Sequence, residues 1–368
     1  MRKCGFALCA CWALVTSAAL ADDAWIGQQI FLKETAKPKL GDRTFGWNDV
    51  AFPAKVTKVN GDWLWIGKAW VRTGEVVKAD DAPAYYANVL RRTPSAAYAY
   101  LLRGLAWRLK HDYDNAIKDF SEAIRIEPTA AIAYQARGSV YHHIHEFTKA
   151  LADLSEAIRL SPTTGMFYND RGCIYKSLDN YTKANEQFNE AIRIDPKLAL
   201  AYSNRGINWH VQKQYDKAMA DFDKAIKIDP KLTHAYDSRG YVWSKEGHYN
   251  QALKDWDDSI RIAPDEPGAY RNKARLYASC ESVGHRDGQL ALENATKACE
   301  LDHWEEWIDV AILAAAYAEL GQFDEAIRWQ KKAIAMNKNP EERDTIQQKD
   351  RLNLYETGLP FRDPEVSQ

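Results

Sequence analysis

The chain has 368 residues, of which 46% are apolar and 27% are charged, and this composition is typical of soluble globular proteins. A chain of this length is too long for one hydrophobic core, so two or more domains or an array of repeats is expected. The net charge of −2 provides no basic surface, so the sequence argues against nucleic acid as a partner.

Residues 1–21 are predicted to be an export signal that is cleaved after Ala21. Arg2 and Lys3 give the segment a positive start, an apolar stretch follows, and its last three residues fit the small-x-small cleavage rule. We therefore expect an exported protein, either periplasmic, held in the cell envelope or secreted. An uncleaved membrane anchor and lipidation at Cys11 are the alternatives.

Residues 24–79 form a front domain in which apolar and polar residues alternate. Asn60 and Gly61 predict a two-residue hairpin turn, Gly67 marks a second tight turn, and residues 27–33 read as a further strand. Short antiparallel strands over about 55 residues are expected to close into a small barrel. The stretch VNGDWLWIGKAWV and the length of the region resemble the SH3-like domains at the front of exported bacterial proteins.

The aromatic residues of this front domain have two expected roles. A domain this small needs large side chains in its core, which favours buried positions for Trp63, Trp65 and Trp70. If exposed, the same rings would hold a proline-rich peptide or a sugar ring. A longer loop supplies the predicted exposed aromatic surface, which consists of Phe45, Trp47 and Phe52.

A period of 34 residues runs through the rest of the chain. Each period holds two stretches with apolar residues at helical spacing, joined by a short polar turn. A proline closes each period, at Pro94, Pro128, Pro162, Pro196, Pro230 and Pro264. Each unit is therefore predicted to be an antiparallel helix pair, which must stack on its neighbours to bury its apolar face.

The spacing of these residues resembles a tetratricopeptide repeat (TPR). The fourth period shows the pattern in full, with Tyr202, Gly206, Trp209, Ala218, Phe222, Ala225 and Pro230. The resemblance implies a mostly α fold: an α-solenoid of about seven helix hairpins behind the small all-β SH3-like barrel. The predicted segments are a half-repeat linker helix at 80–94, the solenoid at 95–337, and a capping helix with its tail at 338–368.

Small residues are predicted to let the two helices of a hairpin approach each other closely. In the fourth period these are Gly206 on the first helix and Ala218 on the second, where a larger side chain would clash. Phe222 is expected to fill the space between neighbouring hairpins.

One position departs from the TPR pattern, because it holds arginine where leucine is common. An aspartate follows sixteen residues later in four of the periods, giving Arg103–Asp119, Arg137–Asp153, Arg205–Asp221 and Arg239–Asp255. We expect these pairs to tie the two helices of a hairpin together, each contributing about 0–1 kcal/mol as a surface pair. A ladder of ligand-binding arginines is the alternative.

The sequence contains no phosphate-binding glycine loop, no His-Glu-x-x-His zinc pattern and no Gly-x-Ser-x-Gly nucleophile motif. His142 and His145 could share a metal, but no third ligand stands at suitable spacing. Cys280 and Cys299 would lie at opposite ends of antiparallel helices, about 20 Å apart, so we expect unpaired buried thiols. We therefore expect no catalytic residue, metal, cofactor or small-molecule substrate.

The first helix of each hairpin is expected to line a concave groove. In TPR proteins that face binds an extended or helical peptide, and the resemblance implies that positions 2, 5, 6, 9 and 12 of each unit do so here. The implied partner-binding residues are Tyr98, Leu101, Leu105, Arg108, Gln135, His142, Asn169, Asp170, Lys176, Ser203, Asn204, His210, Asp237, Tyr241, Arg271, Asn272 and Arg275. These positions vary between periods while the packing positions do not, as expected of a specific ligand or of drift at solvated positions.

These features favour a non-catalytic scaffold of the cell envelope that binds protein or peptide ligands. The alternative is a cell-wall adaptor, in which the SH3-like domain binds peptidoglycan and the repeat array recruits an enzyme.

Overall fold

The structure is a computed structural model that describes residues 25–34, 36–37, 39–40, 43–44, 53–67, 69–337 and 343–363. The predicted export signal at 1–21 and the loop residues Phe45, Trp47 and Phe52 lie outside the described residues. The chain divides into two compact units, residues 1–174 and 175–368. Within the described part, no helix is long and apolar enough to cross a membrane.

The front of the first unit is built from short antiparallel strands. They are β1 (Gln29–Leu32), β2 (Lys39–Leu40), β3 (Arg43–Thr44), β4 (Ala54–Lys55), β5 (Lys58–Asn60), β6 (Trp63–Trp65), β7 (Trp70–Arg72) and β8 (Val76–Lys78). The described strands form two sheets, with strand orders β4-β1-β8 and β3-β2-β7-β6-β5. The sequence predicted a closed barrel, and that prediction is wrong, because these strands form two separate sheets.

The predicted hairpin at Asn60 is confirmed, with its turn displaced by one residue. Asn60 is paired with Trp63, so the two loop residues are Gly61 and Asp62. Gly61 has a φ of 57°, and a hairpin turn needs this left-handed conformation at its first central position.

The core of the front sheets is aliphatic. Leu64 and Val71 are fully buried on one face of β6 and β7, together with side chains of β1. Trp63, Trp65 and Trp70 are half-buried instead, because alternate residues of a strand point to opposite faces. The prediction that these tryptophans fill the core is therefore wrong.

Sixteen α-helices follow in the described residues. They are α1 (Ala82–Arg92), α2 (Ala97–Leu109), α3 (Tyr113–Ile126), α4 (Ala131–His143), α5 (Phe147–Leu160), α6 (Gly165–Ser177), α7 (Tyr181–Ile194), α8 (Ala199–Val211), α9 (Tyr215–Ile228), α10 (Thr233–Lys245), α11 (Tyr249–Ile262), α12 (Pro267–Ser279), α13 (Gly288–Leu301), α14 (Trp307–Glu319), α15 (Phe323–Met336) and α16 (Arg343–Glu356). From α2 to α15, helices of 13 and 14 residues alternate. We call the 13-residue helices A helices and the 14-residue helices B helices.

The hydrophobic core is a series of small clusters between successive helices, as expected of a repeat array. In the first unit, Ala116 and Phe120 of α3 pack against Ala136 and Val140 of α4. In the second unit, Ala218 and Phe222 of α9 pack against Val242 of α10 in the same way. Each B helix therefore shares its apolar face with the A helix that follows it, and the predicted solenoid of helix hairpins is confirmed.

The close approach within a hairpin is between a glycine and an aromatic ring. A Cβ on Gly206 would lie 2.7 Å from a ring carbon of Phe222, and a Cβ on Gly104 would lie 2.6 Å from Phe120. At the equivalent place in the second repeat, a Cβ on Gly138 would lie 3.3 Å from the backbone oxygen of Ala150, which is the predicted approach between a glycine and an alanine. Phe222 touches Gly206 of its own hairpin and the following helix α10.

The predicted half repeat is α1, and it joins the strands to the helices of the first unit. Tyr86 of α1 is fully buried, and its hydroxyl donates a hydrogen bond to the carbonyl of Leu32 at 2.7 Å. Phe31 of β1 packs in the same cluster as α1 and α2, with its ring 6.2 Å from that of Tyr86.

The predicted capping helix is α16, and it ends where the sequence indicates. Gly358 has a φ of 73°, its N–H binds the carbonyl of Tyr355, and the N–H of Leu359 binds that of Leu354 at 2.9 Å. This pattern is a Schellman motif, which glycine favours because it adopts positive φ without steric cost.

Candidate functional site

The four predicted arginine–aspartate pairs are present, and each is bidentate. Arg103 donates two hydrogen bonds of 2.7 Å to Asp119, and Arg239 donates bonds of 2.8 and 2.6 Å to Asp255. The pairs Arg137–Asp153 and Arg205–Asp221 have the same geometry. Their carboxylates are buried, so these are not the surface pairs that the sequence suggested. Loss of one arginine would leave a buried carboxylate without its cation.

Each of three arginines makes a further contact that links two hairpins. Arg205 donates to Asn189 of α7 at 2.6 Å, and Arg239 donates to Asp223 of α9 at 2.6 Å. Arg137 donates to Ser121 of α3 at 2.9 Å. Each guanidinium therefore bridges the B helix sixteen residues before it and the B helix sixteen residues after it, which favours the structural role over a ligand ladder.

In the first unit, the predicted contact residues of α2, α4 and α6 form a polar network. Gln135 donates to Asp170 at 2.7 Å, and the side-chain amide of Asn169 donates to the same carboxylate at 3.2 Å. Burial raises the pKa of Asp170, while the hydrogen bond from Gln135 opposes that rise. Burial lowers the pKa of Arg108, and the nearby charge of Asp170 opposes this.

The other predicted contact residues of the first unit differ in their exposure and in their contacts. Tyr98 is 40% exposed and donates to Glu34 at 3.5 Å. Leu101 and Leu105 pack against the cluster around Phe120 and are half-buried. His142 lies against Phe147, with ring centroids 5.9 Å apart.

In the second unit, predicted contact residues of three successive A helices converge on one cavity. The cavity has a volume of about 360 Å³. The contact residues that line it are His210 of α8, Asp237 and Tyr241 of α10, and Arg271 and Asn272 of α12. The ring of Tyr241 stands edge-on to His210 at 5.2 Å and below the guanidinium of Arg275 at 5.7 Å.

Asp237 is the acidic residue in the lining of this cavity. Desolvation raises its pKa to about 6, and a hydrogen bond from Ser259 only partly opposes this. One carboxyl oxygen, Oδ1, has no hydrogen-bond partner among the described residues. A ligand that donates a hydrogen bond would satisfy this oxygen.

A second cavity, of about 290 Å³, lies further along the same unit. Its lining shares Arg271 and Asn272 with the first cavity and adds Trp307 and Ile308 of α14. Arg271 forms an ion pair with Asp309, which is 1% exposed, through both carboxylate oxygens. The positive charge of Arg271 is therefore already balanced by the carboxylate of Asp309.

Two of the predicted contact residues are not accessible to a partner. Ser203 is fully buried, and Asn169 is 4% exposed. Lys176 and Asn204 are half-buried in the second unit. Sequence reasoning also missed Asp363, which binds Arg275, because the two residues are 88 positions apart and no periodic pattern connects them.

The residues considered for metal or thiol chemistry are dispersed. Among the described residues, no group of three or more His, Cys, Asp or Glu side chains is arranged to hold a metal ion. Cys280 and Cys299 are both buried, belong to different clusters, and have free thiols. Burial raises the pKa of the Cys299 thiol to about 12, and the carboxylate of Asp309 adds to this.

Four segments of the chain match family models of the tetratricopeptide repeat. The matched residues are 78–131 together with 110–163, then 167–198, 199–232 and 312–339. These ranges lie in the helical part of the chain, which therefore contains tetratricopeptide repeats over the matched residues.

Solved structures with the same fold include yeast Tom70 and the Cut9–Hcn1 hetero-tetramer of the APC/C. The Tom70 match has 17% identity and a TM-score of 0.57, and it covers 76% of this chain and 59% of that chain. The Cut9–Hcn1 match has 16% identity and a TM-score of 0.56, and it covers 65% of this chain and 46% of that chain. At these identities the likeness concerns the fold. Among the curated proteins, none matches this chain.

Proposed function

We propose that this protein is a non-catalytic scaffold of the cell envelope that binds a protein or peptide segment on its A helices. The observation that carries the proposal is the cavity lined by His210, Asp237, Tyr241, Arg271 and Asn272. These side chains differ from repeat to repeat, whereas the arginine, glycine and aromatic residues that pack the hairpins recur. Packing requires the same residue in each repeat, and a specific partner requires different ones.

The chemistry of this surface suits a peptide. Asn272 offers both a donor and an acceptor to a peptide backbone, and Asp237 offers an unoccupied acceptor for an N–H group. The ring of Tyr241 supplies an apolar face with a polar edge, and tyrosine is enriched at protein interfaces for this reason.

A peptide library displayed on phage tests the proposal. Peptides selected on the wild-type protein should lose binding to a His210→Ala, Asn272→Ala variant, because both changes remove cavity side chains. A matched variant, Lys224→Ala, Lys227→Ala, alters exposed residues of α9 and should retain binding. Equal binding to both variants, at equal melting temperature, would place the partner elsewhere.

The envelope location rests on residues 1–21 and is part of the proposal. Mass spectrometry of the protein isolated from its native cells should find a first residue of Asp22. An intact N-terminus in the cytosolic fraction would remove this part of the proposal and leave the peptide site unaffected.

The cell-wall adaptor is a second candidate because of the aromatic face on the front sheets. Trp65 and Trp70 lie side by side with ring centroids 5.4 Å apart, and Arg72 lies 5.1 Å from the ring of Trp63. All three tryptophans are half-buried on the face opposite Leu64. A glycan would stack on such rings.

Cosedimentation with purified peptidoglycan tests this second candidate. The full-length protein should sediment with the polymer, Trp63→Ala should reduce the bound fraction, and Lys58→Ala on the neighbouring strand should not. No sedimentation of the wild-type protein removes the candidate.

A further inference from the structure

The chain after α16 folds back onto the A helices of the second unit. Residues 359–363 have no regular secondary structure, and the Schellman motif at Gly358 directs them away from the helix axis. Arg362 donates to Glu319, at the end of α14, at 2.6 Å, and the N–H of Asp363 donates to the carbonyl of Ser279, at the end of α12, at 3.0 Å. The segment therefore runs from one A helix to the preceding one, along the direction of the repeats.

Asp363 is the anchor of this segment. It is 2% exposed, and Nε and Nη2 of Arg275 lie 2.6 and 2.5 Å from its Oδ2. Charge-assisted hydrogen bonds of this kind are about twice as strong as neutral ones. Arg275 stands at position 9 of its repeat, one of the positions that the TPR resemblance assigns to a partner.

Phe361, two positions before Asp363, is the second residue that holds the segment in place. The guanidinium of Arg351 lies 4.2 Å from the ring centroid of Phe361, and Phe361 packs with Tyr355 and Leu354. The segment thus presents an aromatic ring and, two residues on, a carboxylate.

The site around this segment is not filled by it. Phe361 and Asp363 line the 290 Å³ cavity together with Arg271, Arg275 and Trp307. Leu359 is 54% exposed, so the segment is held mainly at Phe361, Arg362 and Asp363. A short attachment of this kind can be exchanged for a longer ligand that also enters the cavity.

We propose that residues 361–363 are a built-in occupant of the partner site, and that the partner segment replacing them carries a carboxylate two residues after an aromatic ring. This rests on the proposed function, because it identifies the partner of the same A-helix surface. A tethered segment competes at an effective concentration on the order of millimolar. A partner must therefore bind tightly enough to displace a competitor at that concentration.

Fluorescence anisotropy with a labelled peptide of residues 357–368, TGLPFRDPEVSQ, tests the proposal on the full chain. Asp363→Asn in the protein keeps the shape of the tail and removes its charge. The variant should bind the peptide at least about tenfold more tightly than the wild type, because its own tail no longer competes. Adding Arg275→Gln should abolish that gain.

Two controls make the result specific. A peptide with asparagine in place of Asp363 should bind the Asp363→Asn protein about tenfold more weakly than the original peptide. Glu356→Gln changes another carboxylate near the end of α16, one that pairs with Lys331 at the surface, and should leave peptide affinity at the wild-type value.

Equal peptide affinity for the wild type and the Asp363→Asn variant would overturn the proposal, and so would equal affinity for the two peptides. A chain ending at Gly358 serves as a second variant and should bind as tightly as Asp363→Asn. If phage-selected peptides still require His210 and Asn272 while the tail peptide does not bind, only this inference fails and the proposed function stands.

Discussion

Arg239 of α10 donates two parallel hydrogen bonds, of 2.8 and 2.6 Å, to Asp255 of α11, and a third, of 2.6 Å, to Asp223 of α9. One guanidinium thus fixes three consecutive helices, and the residues it joins are sixteen positions away on either side. Asp255 is 4% exposed, so loss of Arg239 would leave a buried carboxylate without its hydrogen-bond partner.

Removal of one such arginine should destabilise the protein measurably. For Arg205→Ala, which leaves Asp221 buried without its cation, we expect a loss of about 1.5–3 kcal/mol in the free energy of unfolding by urea. Arg193→Ala removes an arginine from an exposed i,i+3 pair with Glu190 and should cost less than about 0.5 kcal/mol. Similar losses for the two variants would mean that the inter-helix pairs contribute no more than surface pairs.

The glycines of the A helices should differ in their tolerance of a methyl group. In Gly206→Ala the new Cβ would meet the Phe222 ring at 2.7 Å, and we expect a loss of about 1–3 kcal/mol. In Gly138→Ala the nearest atoms lie at 3.3 Å, and the gain of about 1 kcal/mol in helix propensity offsets the tighter contact. Thermal melting of both variants checks this ranking, which would be wrong if Gly138→Ala were the more damaging.

The turns between A and B helices hold strained residues that a glycine should relieve. His111, His145, Asp179 and Lys213 all have φ between 54 and 61°, and Gly247 stands at the equivalent place in the fifth repeat. Lys213→Gly should therefore stabilise the fold by up to about 1 kcal/mol, because the left-handed conformation costs a non-glycine residue about 1–2 kcal/mol. Urea unfolding measures the change, and Gly247→Lys should act in the opposite direction.

Protonation of Asp237 should make stability depend on pH. Its folded pKa of about 6 lies above the ordinary 3.8, so the folded state binds the proton more tightly than the unfolded chain. Stability from this group is therefore greatest at low pH, falls as pH rises from about 4 to about 6, and is constant above that window.

Asp237→Asn should flatten this dependence and raise the free energy of unfolding at pH 7 by at most about 3 kcal/mol. Urea unfolding at several pH values measures it. Asp216→Asn, a change at an exposed carboxylate of α9, should keep the wild-type profile. An unchanged profile for Asp237→Asn would contradict the assigned pKa.

The sequence predicts those parts of the fold that repeat. The 34-residue step locates the hairpins, and the sixteen-residue step between Arg239 and Asp255 predicts their contact, because both depend on local spacing. The bridge from Arg239 back to Asp223 was missed, although the same spacing connects them, because its acceptor is Asn189 or Ser121 in other repeats.

The parts that do not repeat were harder to predict. The contact of Asp363 with Arg275 depends on how the chain turns after Gly358, and no pattern in the sequence marks it. On the front sheets, the alternation of residues predicts that Trp63 and Trp65 share one face of β6. It does not predict which face is buried, because that depends on what packs against the strand.

The binding of a partner on the A helices is the central claim, and site-specific photo-crosslinking in native cells tests it most directly. A photoreactive amino acid at Tyr241 should give a crosslinked product whose partner peptide, identified by mass spectrometry, contains a carboxylate near an aromatic residue. The same amino acid at Lys224, an exposed position of α9, should give none of this product. The account is contradicted if position 224 yields the partner and position 241 does not.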